Sequence, residues 1–128
     1  MNQTDELTPY LAPAFSRKAE SVTVLDVSGL TSYTDVLVII TGTSARQVSS
    51  ISEHICRSLK HIGKKPLGTE GMREGKWVLL DFGWIIIHIF DAATKELYDL
   101  EGLWADAPRI DPPQFSPEPA PDWEEEDE

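Results

Sequence analysis

The segment from Lys76 to Trp104, KWVLLDFGWIIIHIFDAATKELYDLEGLW, constrains this chain more than any other part of it. Two apolar runs separated by a glycine-bearing turn read as a tight β-hairpin. With Phe82-Gly83 as a two-residue turn, Asp81 pairs with Trp84, Leu79 with Ile86 and Trp77 with His88. Side chains alternate faces along a strand, so the hairpin sorts into two unlike surfaces. Val78, Leu80, Ile85, Ile87 and Ile89 make one of them, wholly aliphatic and suited to a core. Trp77, Leu79, Asp81, Trp84, Ile86, His88 and Phe90 make the other, which mixes aromatic bulk with hydrogen-bonding tips. That mixture is typical of recognition surfaces.

The remaining elements follow from periodicity. Apolar residues at helical spacing predict an amphipathic helix over residues 6–20, with Thr8 capping ahead of Pro9 and Pro13 kinking it or delaying its start. Val22 to Val27 reads as a strand. Asp35 to Thr41 is a nearly continuous β-branched run, the pattern of a central strand buried on both faces. Ser44 with Gln47 matches a capping box, and Val48, Ile51, Ile55, Leu59 and Ile62 form the apolar stripe of a long helix that Gly63 ends. Lys64 to Gly75 is a loop with a short strand near Leu67, a further strand is predicted around Lys95 to Asp99, and Leu100 to Trp104 forms a turn of helix. The strand near Val36, the long helix and the strand from Trp77 make a βαβ crossover, which places those two strands parallel. The expected fold class is α/β: a single domain, residues 1–111, with a mixed sheet of about five strands flanked by helices. Residues 112–128 contain five prolines and then acids, the composition of a disordered tail.

Charge and cysteine usage narrow the function. The formal net charge is −11, of which residues 112–128 hold −7. Such a chain is not expected to bind naked nucleic acid, which requires clustered Lys and Arg, and it suits a basic protein partner better. No apolar run approaches the roughly 20 residues that span a bilayer, and MNQTDELTPY lacks the charged-then-apolar pattern of a signal peptide. The lone Cys56 excludes a disulfide framework, so a cytoplasmic location is expected. His54 and His61 lie on the flank of the long helix and are expected to be solvated; with His88 they form no metal site. No cofactor and no catalytic group is expected. The catalytic alternative is a nucleotide-binding or nucleotidyltransferase-like enzyme, with Gly42 to Ser44 cradling an anion and Asp81 holding Mg²⁺, but no neighbouring acid completes the carboxylate pair. If Leu97 and Leu100 face the core, Tyr98 extends the Trp77/His88 face, with Glu70, Asp81, Asp99 and Glu101 at its border. A homodimer through the aromatic face or a sheet edge is compatible with this pattern.

Several ordered segments together resemble the ribosomal silencing factor family, also called Iojap or RsfS. They are Ala19 to Asp26, TSYTDVLVIITGTSARQV (Thr31 to Val48), Glu70-Gly71, WVLLDFG (Trp77 to Gly83), the strand reaching His88, and YDLEGLW (Tyr98 to Trp104), spanning roughly residues 18–106. The resemblance implies a nucleotidyltransferase-like fold without that activity. It also implies binding to the large ribosomal subunit through the protein usually called L-fourteen, which sterically blocks joining to the small subunit and lowers translation when nutrients are scarce. Organelle relatives act in ribosome assembly. Glu70, Trp77, Asp81, His88, Tyr98 and Glu101 match the family's motif positions, and Leu79 shares their face. Trp77 and Tyr98 are expected to supply apolar contact and the acids to pair with basic groups. The family usually has Asp after the turn glycine; this chain has Trp84, which removes a charge from the expected docking face.

Overall fold

The structure is a computed structural model that describes residues 3–110. Element by element it runs α1 (Gln3–Ser16), β1 (Ser21–Asp26), β2 (Val36–Gly42), α2 (Ala45–Lys60), β3 (Gly68–Glu70), β4 (Trp77–Asp81), β5 (Ile85–Asp91), α3 (Ala92–Tyr98), α4 (Leu100–Leu103) and β6 (Arg109–Ile110). One six-stranded sheet in the order β3-β4-β5-β2-β1-β6 carries the fold, one strand more than expected. The proline-rich segment 112–128 lies outside the described residues.

Strand position follows strand composition. All seven residues of β2 are buried, as are six of the seven in β5, and these two occupy the middle of the sheet as a parallel pair. The expectation that the strand from Trp77 lies parallel beside β2 is corrected. β4 alternates buried and half-buried residues and sits one place further out, antiparallel to β5. The crossover from β2 through α2 therefore closes on β5, after β3 and β4. A strand apolar on both sides gains most from a place with neighbours on both sides.

The hairpin register also differs. Asp81 pairs with Ile86, Leu79 with His88 and Trp77 with Phe90. The turn residues are Gly83 and Trp84, closed by the Phe82 N–H donating to the Ile85 carbonyl at 3.0 Å. Gly83 has φ +90°, which a side chain would resist and which the first central position of a type II′ turn requires. The turn has moved by one residue, so the pairing has moved by two. Because two is the side-chain period, the sorting of the strand residues into two faces survives.

The first face carries the main core. Val24, Val36, Val38, Ile40, Val78, Leu80, Ile85, Ile87 and Ile89 pack against Leu7, Leu11 and Ala14 of α1 and Val48, Ile51, Ile55 and Leu59 of α2. α2 is capped as its sequence requires: Ser44 Oγ accepts from the Gln47 N–H at 3.1 Å. At the other end Gly63, with φ +78°, closes a Schellman arrangement in which Lys64 N–H donates to the Leu59 carbonyl and Gly63 N–H to that of Lys60. Ile62, assigned to the apolar stripe, lies beyond the helix and is exposed.

α1 begins earlier than expected, and its helix runs through both Pro9 and Pro13. Thr8 is thus an interior residue and not a cap. His54 is buried against the end of α1 and not solvated, with Nε2 3.0 Å from Ser16 Oγ and Nδ1 3.4 Å from an Arg17 nitrogen.

The strand predicted around Lys95 to Asp99 is a helix. Asp91 caps α3 by accepting from the Thr94 N–H at 2.8 Å, and Ala92, Ala93, Lys95, Glu96 and Leu97 are mostly good helix formers. Leu97, assigned to the core by strand alternation, is accordingly exposed, whereas Leu100 packs on the second face.

Candidate functional site

The second sheet face reads as rows across neighbouring strands. Glu70 of β3, Leu79 of β4, His88 of β5, Ile39 of β2 and Thr23 of β1 lie level with one another. Asp81, Ile86, Leu37 and Leu25 form the row on one side, and Trp77, Phe90, Thr41 and Ser21 the row on the other. Leu25, Val27, Leu37, Ile39, Ile86, Phe90 and Ala107 form a small second core here, with Trp77, Leu79, Leu100 and Trp104 packed against it. The face is therefore partly roofed by α3, α4 and the segment after them, and is not the open aromatic surface expected from the sequence. Phe90 and Ile86 are sealed within it.

Trp77 holds the centre. Its half-buried ring lies 4.5 Å from Tyr98, 5.6 Å from Phe90 and 5.8 Å from His88, centroid to centroid. The indole N–H donates to His88 Nδ1 at 3.0 Å. Indole nitrogen only donates, so Nδ1 must be unprotonated and the ring proton sits on Nε2. Burial pushes the His88 pKa down to about 4, so the imidazole is neutral at physiological pH. His88 serves to fix the Trp77 ring, and Trp77 in turn supports Tyr98, which remains 52% exposed.

The expected acidic border divides into two ends. Glu70 is exposed beside Leu79, and Asp81 nearby is half-buried, its Oδ1 accepting from the Gly83 N–H at 2.9 Å. Glu101 lies against Thr23 across the sheet, at 3.5 Å. Thr23 and Glu70 stand four strand spacings apart, roughly 19 Å. Glu101 is also bonded within the chain, accepting from Lys95 Nζ at 2.8 Å and from Arg109 at 3.2 Å; the Lys95 bond foremost holds its carboxyl below the usual range.

Trp84 is not on this face. It packs on the α1 side, edge-on to the Tyr10 ring at 5.4 Å, with its N–H 3.3 Å from the Tyr10 hydroxyl. The expectation that Trp84 removes a charge from the second face is corrected, because its side chain lies on the other side of the sheet. Sequence reasoning missed the exposure of Leu97 and Leu103, which are 77% and 73% exposed, the first adjacent to Tyr98 in the chain. The cap signal Asp91-Ala92-Ala93-Thr94, a capping aspartate followed by two alanines, would have revealed the helix that exposes Leu97.

The parts of the catalytic alternative are separated. Asp81 lies level with Leu37, five residues along β2 from Gly42, or roughly 17 Å. The Gly42 turn is closed as well: Thr43 N–H and hydroxyl both donate to Gln47 Oε1, and a Cβ at Gly42 would meet Val48. Burial, with Glu53 adding to it, raises the Cys56 thiol pKa, which makes it a poor nucleophile. Among the described residues no group of three or more His, Cys, Asp or Glu side chains is placed to hold a metal ion, and no helix is long and apolar enough to cross a membrane.

The site is thus an aromatic, acid-edged face on a mixed α/β sheet. The family profile described as "Ribosomal silencing factor during starvation" matches residues 2–128. The chain is 39% identical over 88 residues to ribosomal silencing factor RsfS of Haemophilus influenzae, covering 69% of this chain and 86% of that one. It is 34% identical over 111 residues to the Bacillus subtilis protein of the same name, covering 87% and 94%. A mouse relative named mitochondrial assembly of ribosomal large subunit protein 1 is 33% identical over 89 residues, covering 67% of this chain and 39% of its own. A crystal structure from Chromobacterium violaceum superposes with a TM-score of 0.75 at 30% identity, covering 95% of this chain and 99% of that one. The chain belongs to the ribosomal silencing factor family, named for a regulatory and not an enzymatic role, and its functional context is the ribosome.

Proposed function

We propose that this protein represses translation by binding the large ribosomal subunit through protein L-fourteen and sterically blocking association with the small subunit. The single observation that carries the reading is the Trp77–His88–Tyr98 stack, a supported aromatic surface set between acidic ends. Trp77 and Tyr98 supply apolar contact, joined by Leu79. Glu70 and Asp81 face basic groups of the partner, and Glu101 marks the opposite limit of the surface. His88 acts through Trp77. Occlusion requires only an interface of ordinary size, roughly 800 Å² per partner, and no chemistry.

The experiment is co-sedimentation with purified large subunits and with joined ribosomes, alongside a subunit-joining assay. The protein is expected on free large subunits only, and joining is expected to fall in proportion to its occupancy. Equal binding to joined ribosomes, or full joining at saturating occupancy, would overturn the reading.

A further inference from the structure

Where β2 ends and β5 gives way to α3, a cavity of about 530 Å³ opens between the start of β1 and the α3–α4 turn. It lies at the carboxyl ends of the two parallel strands, a common position for ligands in α/β sheets. Four carboxylates line it, from Glu20, Glu96, Asp99 and Glu101, against the single ammonium of Lys95. Lys95 is committed to Glu101 at 2.8 Å, and Asp99 Oδ1 accepts from the Gly102 N–H at 3.1 Å. Glu20 and Glu96 are exposed and have no ion-pair partner among the described residues.

Independent of this charge, the cavity also contains an unsatisfied buried polar group. Thr41 lines it while only 3% exposed, and its Oγ1 has no hydrogen-bond partner among the described residues. A buried hydroxyl left unpaired is costly, so it normally has a partner. Anions are repelled by the lining, and the carboxylates do not converge as a metal ion demands. An elongated organic cation matches both features, since it presents N–H donors to separated carboxylates and to a hydroxyl.

We propose that this cavity binds an organic ammonium group through Thr41 Oγ1 at its floor, with the carboxylates of Glu20 and Glu96 at the rim attracting the positive charge. The group comes either from a free diamine or from a lysine side chain of the ribosomal partner, and only the second source rests on the function proposed above. The test is an NMR titration of the full chain with putrescine, using 1,4-butanediol as the uncharged control. Putrescine is expected to shift the Thr41, Ala92 and Leu100 amides saturably, and butanediol is not. Thr41→Val and the double variant Glu20→Gln/Glu96→Gln are each expected to weaken putrescine by about tenfold, the worth of a charge-assisted hydrogen bond. Thr41→Val should not lower the melting temperature, because the hydroxyl has no bond to lose. Absence of a saturable shift, equal shifts with butanediol, or unchanged affinity in both variants would overturn the proposal.

The same variants assign the source by co-sedimentation. A comparable loss of large-subunit affinity identifies a lysine of the partner, and unchanged affinity identifies the free diamine. Failure of the wild-type chain to bind large subunits would overturn the proposed function while leaving the putrescine result standing.

Discussion

Acidification between pH 7.5 and pH 5 should destabilise this protein through His88, by about 2 kcal/mol. The unfolded imidazole titrates near its ordinary 6.5, and burial against Trp77 lowers the folded value to about 4. The unfolded chain therefore takes up the proton first. The contribution is fully present above pH 6.5 and is lost as pH falls from there through the folded value. At pH 5 the unfolded His88 is almost wholly protonated and the folded one almost wholly neutral, a difference worth about 2 kcal/mol, rising to about 3 kcal/mol below pH 4. The assay is urea unfolding at the two pH values for the wild type and for His88→Asn, whose side-chain oxygen can still accept from the Trp77 indole. The variant should lose about 2 kcal/mol less than the wild type over this window. The carboxylates of Asp26, Asp91 and Glu101, all held below their ordinary values, lose their contributions at lower pH and are common to both proteins. Equal pH dependence in the two would refute the lowered pKa of the buried His88.

Three further outcomes are expected. Tyr98→Ala should weaken large-subunit binding by about 2 kcal/mol, the loss of a central aromatic anchor, with little change in the urea midpoint because the ring is half exposed; unchanged affinity would move the docking site elsewhere. Trp84→Asp should lower stability by about 2 kcal/mol or more, since it removes a ring packed on Tyr10 and puts a carboxylate against the α1 side; among molecules that remain folded, subunit affinity should stay at the wild-type value. Gly71→Ala should destabilise by about 1–3 kcal/mol in thermal unfolding. Its φ is +79°, and a Cβ there would stand 2.0 Å from the Trp77 carbonyl oxygen.

Local grammar made much of this fold readable. β2 announced its central place through seven apolar or small residues, and α2 through its cap, its stripe and its terminal glycine. The hairpin's two faces were legible because alternation is indifferent to a shift of two. Other features depended on competition between distant parts of the chain. Nothing within WVLLD says that it will yield the place beside β2 to IIIHIFD; that outcome reflects which strand hides more apolar surface. Lys95 to Asp99 alternates as a strand would, and the competing signal, a capping aspartate and two alanines, lies just upstream. β6 has two residues and no period to detect. At the candidate site, Trp77, His88 and Tyr98 were grouped correctly, but the roof over Phe90 and the removal of Trp84 to α1 were not visible. The first arises from segments folding over the sheet from further along the sequence, and the second from the one-residue shift of the turn together with the packing of α1 on it.

The bond from the Trp77 indole to His88 also bears on how fast a partner is captured. A ring wedged among three others and tethered at its nitrogen has already surrendered its rotational freedom during folding. Docking against it then carries little additional entropic penalty. With the basic partner proposed above, the encounter should resemble two rigid shapes meeting, with an association rate governed by diffusion and by charge attraction, and sensitive to ionic strength.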